Sequence, residues 1–287
     1  MKQSEKWMRG LPYVGNKGQK AQQIIDALPA GGRFIDVFGG GGSISLTAAN
    51  SGKWDEVIYN DRRKTVVNLL KALIEDKPHF DLIKYVYMDR ETFYNWRDNQ
   101  PDSIERTLVL TVWSFSNNLH DYLWGKKIEK EKLQLTRALF WGDTGTRLDG
   151  LYSYAKNETT ISGKYTVYHK WRRNRLEQLE RLQQLERLQQ LQQFQQLEFL
   201  TLDYRSLEIG PEDIVYCDPP YCGTGNDYGG FDNGSFQTWL DSCPAKQIYI
   251  SEYTKLPHTE AAFNLGKKIS FKAKGKRPDE LLLKYVK

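Results

Sequence analysis

The chain has 287 residues, enough to bury a full core as one large domain with an insertion or as two unequal domains. Its 41 Lys and Arg against 36 Asp and Glu give a formal charge of +5, which suits a polyanionic partner but is too mild to name one. Three cysteines do not form a disulfide framework, and neither a signal peptide nor an apolar run of about 18 residues is present, which excludes a disulfide-stapled scaffold and a membrane-spanning chain and leaves a cytoplasmic protein as the expectation.

In chain order, Arg33 to Phe38 is a short apolar strand entering the glycine cluster Gly39 to Gly42, and Ser43 to Ala49 starts a helix. Glu56 to Tyr59 is a second strand ending at Asn60-Asp61, followed by a helical pattern through Val66, Val67, Leu69, Leu70, Leu73 and Ile74. This βαβα order predicts a parallel sheet with helices on its faces. Residues 77–169 mix aromatic, basic and Asn/Gly residues without strand alternation, and read as an inserted, mostly helical module. A tract at 171–198 then places Leu176, Leu179, Leu182, Leu185, Leu188, Leu191, Phe194 and Leu197 at every third position among Glu, Gln and Arg. Three residues advance about 300° on a helix, so the apolar stripe drifts round it by about 60° per step and makes no heptad. All four residue types favour a helix, expected here as part of the catalytic region formed by 1–76 and 170–287, with a solenoid-like stack as the alternative. Strands are expected at Phe199 to Asp203, Asp213 to Cys217 and Gln247 to Ser251, with Glu280 to Val286 as one more strand at an edge.

The glycine cluster follows a strand and opens a helix, where backbone can turn sharply, approach a ligand and offer free N–H groups. Its spacing, Asp36-x-Phe38-Gly39-Gly40-Gly41-Gly42-Ser43, is neither a phosphate-cradling P-loop nor the dinucleotide fingerprint; a plain tight turn is the competing reading. Asp61 stands about 20 residues on, where nucleotide-binding folds place an acid on ribose hydroxyls, although a helix cap fits the same position. Asp218-Pro219-Pro220-Tyr221 is more specific. It leaves the carboxyl end of a strand, and its prolines make a stiff loop with fixed φ and carbonyls lacking local partners. The Asp218 carboxylate and Pro219 carbonyl could each accept a hydrogen of an exocyclic amine, exposing a lone pair otherwise delocalised into the ring, while Tyr221 stacks on an extruded base.

With these residues the sequence resembles the Dam-type, α-group family of DNA adenine N6-methyltransferases. The likeness runs through Tyr13-Val14-Gly15-Asn16-Lys17, Phe34 to Ser43, Asn60-Asp61, Val215 to Tyr221 and Ile250-Ser251-Glu252-Tyr253, in the family's order. It implies a Rossmann-like class I S-adenosylmethionine-dependent methyltransferase sheet, α/β in class, with an inserted helical target-recognition module. It also implies S-adenosylmethionine as methyl donor, S-adenosylhomocysteine as product, and double-stranded DNA as partner of a protein of bacterial or phage setting. No metal is expected, because Cys217 and Cys222 straddle the Asp-Pro-Pro-Tyr segment with no His nearby, and a monomer is favoured. Cofactor contacts are expected from Tyr13, Lys17, Asp36, Gly39, Gly41, Asp61, Asp203 and Asp218, and a base pocket from Tyr221 and Tyr253. The family's Gly-x-Phe-Asn-x-Pro hairpin is missing, and only Phe115-Ser116-Asn117-Asn118 suggests it, so the family's target site is not carried over.

Phosphate contacts are expected from Lys126, Lys127, Lys130, Lys132, Arg137 and Arg147 and from Lys267, Lys268, Lys272, Lys274, Lys276 and Arg277, against the ordinary alternative of solvated surface charge. The polar stretch 223–233 could fold over a flipped base. Competing functions are methylation of cytosine N4 or of a protein glutamine, and a non-enzymatic nucleic-acid-binding or assembly protein working through the Leu/Gln tract; the last leaves the aspartate and paired prolines unexplained.

Overall fold

Apolar runs that end in polar residues form strands, and the computed structural model, which describes residues 8–75, 81–171, 175–191, 194–220, 231–266 and 279–287, buries those at 34–36, 57–60, 214–217 and 248–252 on both faces, whereas the run expected at Phe199 to Asp203 is a strand only to Leu200 and is half-buried. In chain order the elements are α1 (Ala21–Ala27), β1 (Gly31–Asp36), α2 (Ser43–Ser51), β2 (Trp54–Asn60), α3 (Lys64–Glu75), α4 (Arg90–Asn99), α5 (Ile104–Trp113) and α6 (Lys126–Phe140). After these come α7 (Gly150–Ala155), α8 (Ile161–Trp171), α9 (Glu177–Gln189), β3 (Leu197–Leu200), β4 (Ile214–Cys217), α10 (Asn233–Ser242), β5 (Gln247–Glu252), β6 (Thr259–Gly266) and β7 (Glu280–Tyr285). The chain divides into two compact units, with Met1–Arg9, Lys17–Val67 and Phe194–Lys287 in one and Gly10–Asn16 and Asn68–Gln193 in the other.

The first unit holds one sheet in the order β3-β2-β1-β4-β5-β7-β6. Neighbours are parallel from β3 to β5, and β7 runs antiparallel to both β5 and β6. This is the α/β sheet of a class I methyltransferase, as the resemblance implies. Its core includes Ile35, Val37, Ile58, Val215, Ile248, Ile250 and Leu283, with Phe236 and Leu240 contributed by α10.

One expectation about the sheet is corrected, and one strand was not expected. The strand at 280–286 lies inside the sheet, and the edge on that side is β6, whose sequence carries no strand pattern of its own. Its central residues are exposed and lack strict alternation, so the pairing with β7 rather than an apolar pattern defines it.

The second unit is helical among its described residues. Helices α4 and α5 begin at side-chain caps, Asp89 accepting from the Thr92 N–H and Ser103 from the Arg106 N–H. Trp113 stacks on Tyr122 at 6.1 Å and meets Trp124 edge-on, so these three aromatics are core, whereas Trp141 and Tyr154 are exposed. The division between the units falls inside α3, and the repeat helix lies in the helical unit. All six leucines from Leu176 to Leu191 are fully buried. A stripe circling a helix requires apolar neighbours on every side, and α9 has α8 and α5 among its neighbours. The helix stops at Gln189, and Leu197 already belongs to β3, so the tract is not one continuous helix.

Candidate active site

In an open parallel sheet, ligands meet the loops at the carboxyl ends of the strands. Here β1 ends at Asp36, β2 at Asn60, β4 at Cys217 and β5 at Glu252. Asn60 is buried and fastens three loops: its Nδ2 donates to the carbonyls of Val37 (3.0 Å) and Leu202 (3.1 Å), and its Oδ1 accepts from the Leu202 N–H (2.9 Å).

The glycine turn is held from β2 as well. Gly39 N–H donates to the Asn60 carbonyl (2.7 Å), Gly40 N–H to Asp61 Oδ2 (2.9 Å), and Tyr59 OH to the Gly40 carbonyl (2.7 Å). Gly42, at φ 80°, turns the chain into α2 in a conformation other residues rarely adopt. At Gly39 the reason for glycine is a protein contact, since a Cβ would stand 2.3 Å from the Tyr59 ring. Gly41 is buried within the same turn.

Asp36 is 1% exposed. Its Oδ2 accepts from Ser45 Oγ at 2.6 Å, while Oδ1 is buried without a hydrogen-bond partner among the described residues. Burial pushes its pKa up to about 7, Ser45 pulls the other way, and the nearby Asp218 charge adds to the rise. Asp61 is raised too, by burial, against the hydrogen bonds from the Arg63 and Gly40 N–H groups. Its Oδ1 takes the Arg63 N–H (2.8 Å), so this carboxylate already caps the chain entering α3 while gripping the glycine turn.

Asp218 follows β4, with Pro219 buried and Pro220 half-buried beside it. Lys17 Nζ donates to both Asp218 oxygens, at 2.7 and 2.6 Å. The lysine is 7% exposed and sits in the turn before α1. Burial alone would lower its pKa, but the charges of Asp218 and Glu280 outweigh that and raise it. Glu280 is 3.5 Å from Lys17 and 3.0 Å from Lys20. Tyr216 OH and Ser251 Oγ are 2.8 Å apart, tying the buried ends of β4 and β5 together next to Asp218.

The other expected residues are placed as follows. Tyr13 is buried and belongs to the second unit, its carbonyl accepting from the Asn16 N–H. Asp203, after β3, is committed to Arg205, whose guanidinium holds it down to about 2. Half-buried Tyr253 leaves β5, its N–H donating to Glu252 Oε1. Tyr221, most of 223–233, the Arg147 side chain and the basic run 267–277 lie outside the described residues. Lys126, Lys127 and Lys130 are exposed on α6, whereas Lys132 binds the Arg175 carbonyl and Glu177, and Arg137 binds Asp143. The Phe115–Asn118 segment is a turn with Ser116, Asn117 and nearby Leu119 at positive φ. Sequence reasoning did not single out Lys20 or Glu280, which enter the site only through the folding together of distant segments.

Residues 13–239 match the family described as D12 class N6 adenine-specific DNA methyltransferase. The chain belongs to that family. It is also similar to the Type II methyltransferase M2.HphI of Haemophilus parahaemolyticus, with 27% identity over 237 residues, 76% of this chain and 68% of that protein. The chain is therefore a DNA adenine N6-methyltransferase, and S-adenosylmethionine is the general methyl donor of such enzymes. DNA is its substrate, and no helix among the described residues is long and apolar enough to cross a membrane. The buried Oδ1 of Asp36, without a hydrogen-bond partner among the described residues, fits a ligand that brings N–H donors, as the α-ammonium of S-adenosylmethionine does.

Proposed function

We propose that this methyltransferase acts on adenine extruded from duplex DNA and that Asp218, with the Pro219 carbonyl, accepts the two hydrogens of the adenine amine. The observation that supports this reading is the Asp218 carboxylate held through both oxygens by buried Lys17 at the carboxyl end of β4. An ionised carboxylate has about four acceptor directions, twice the number the ammonium uses, so binding lysine and accepting from an amine are compatible. The lysine contact fixes the carboxylate in place and keeps it ionised, as an acceptor facing developing positive charge must be.

S-adenosylmethionine, when bound, supplies a methyl group on a sulfonium. In this reading Asp36 receives the cofactor's ammonium, Asp61 its ribose hydroxyls, and the turn at Gly39–Gly42 lies against it. Tyr253 and Tyr221 flank the base, and Lys126, Lys127 and Lys130 meet phosphates in a salt-dependent way. A bacterial or phage setting fits the bacterial relative.

The test is transfer of labelled methyl to adenine-containing duplex DNA by the wild type and by Asp218→Asn and Asp218→Ala. We expect label in N6-methyladenine and a fall in single-turnover rate of about 10²–10³-fold in folded variants. Wild-type rates in Asp218→Ala would refute the assigned role, and label in cytosine or protein would refute the substrate. Sequencing the methylated DNA would distinguish a single target sequence from scattered adenines.

A further inference from the structure

Lys17 and Asp218 end one side of a longer array of buried and half-buried charge. Glu280, the first residue of β7, is 2% exposed, and its two oxygens face two different ammonium groups: Oε1 is 3.5 Å from Lys17 Nζ and Oε2 is 3.0 Å from Lys20 Nζ. Lys20 is anchored again on the Gly266 carbonyl at 2.9 Å, opposite Glu280 in the β6–β7 register. The two lysines are joined by the Lys20 N–H to Lys17 carbonyl bond at 2.7 Å, which sets both at the start of α1. Formal charges therefore alternate from Asp218 to Lys17 to Glu280 to Lys20 and sum to zero. The four residues come from the end of β4, the segment entering α1, and β7, which local packing alone does not require to share a charge network.

We propose that Glu280 is a positioning residue for methyl transfer, holding Lys17 and balancing its charge so that the Asp218 carboxylate keeps its orientation as acceptor for the adenine amine. The inference rests on the acceptor role given to Asp218 above. As the amine nitrogen is methylated it gains positive charge, so a nearby uncompensated ammonium opposes the reaction and a balanced one does not. Glu280 supplies that balance.

The test is a double-mutant cycle on the full chain, read as single-turnover methylation of duplex DNA, with KM for DNA and cofactor measured alongside. Glu280→Gln should slow methyl transfer by about tenfold, the effect of one misplaced charge of roughly 1.4 kcal/mol, with both KM values within about threefold of wild type. Glu280→Asp, which keeps the charge, should recover part of the loss. In a Lys17→Met background the same Glu280→Gln change should cost nothing further, because the lysine through which it acts is gone. An equal loss in both backgrounds, or a loss confined to KM or to the folded fraction, would overturn the proposal. Should Glu280→Gln fail to fold, Glu280→Asp in the two backgrounds decides in the same way. An active Asp218→Asn enzyme would sink the acceptor reading itself, whereas a dead Asp218→Asn with a fully active Glu280→Gln would sink only the role of Glu280.

Discussion

Replacing Asp36 by Asn should stabilise the ligand-free enzyme at alkaline pH and weaken its hold on the cofactor. The carboxyl is buried, one oxygen takes the Ser45 hydroxyl and the other has no partner among the described residues. Its pKa of about 7 in the fold stands above the ordinary 3.8. Because the folded state binds the proton more tightly, the group weakens stability as pH rises from about 4 to about 7, and the loss is complete above that. At about 1.4 kcal/mol per pH unit, the full effect is at most roughly 4 kcal/mol at pH 8. Asparagine keeps the shape and an acceptor for Ser45 but never ionises. Urea unfolding of both proteins without cofactor, at several pH values between about 4.5 and 8, should show a stability difference that is small in acid and grows with pH in favour of the Asp36→Asn variant. A difference that stays flat across that range, within about 0.5 kcal/mol, would refute the reasoning. Saturating S-adenosylmethionine should reverse the preference, since a bound ammonium stabilises the ionised carboxylate.

Gly39→Ala should destabilise the sheet unit by about 1–3 kcal/mol, because the new methyl meets the Tyr59 ring, and part of the cost should disappear when Tyr59 is made smaller in the same chain; thermal melts of the single and double variants check this. Arg181→Met should cost about 2 kcal/mol in denaturant unfolding. This α9 guanidinium, largely desolvated and with its pKa lowered to about 10, donates to the carbonyls of Val112 (2.8 Å) and Ser114 (2.6 Å) at the end of α5; a neutral or stabilising result would mean those carbonyls find other partners.

The parallel half of the sheet was legible because each strand is an apolar run closed by a glycine turn, an acid or a proline pair, and Asp36, Asp61 and Asp218 all stand at strand ends for that reason. β6 was hidden, since an edge strand facing water carries no buried alternation. Within the Leu tract the helix could be read but not its surroundings: period three says only that leucine faces every direction, and the fold supplies a neighbour for each. The ion-pair array was out of reach because Lys17 meets a carboxylate 201 positions away and Lys20 one 260 positions away, contacts that no local pattern encodes. For the same reason Lys17 was identified through family resemblance alone, and Glu280 looked like any charged residue opening a strand.

The place of β7 has a consequence for synthesis. It sits between β5 and β6 although both precede it in the chain, so during translation β6 emerges with no strand to pair with and β5 keeps an open edge until β7 follows. That late strand also brings Glu280 to Lys17. A ribosome-bound chain stalled before Glu280 thus has its glycine turn and its Asp-Pro-Pro segment but not the counter-charge beside them.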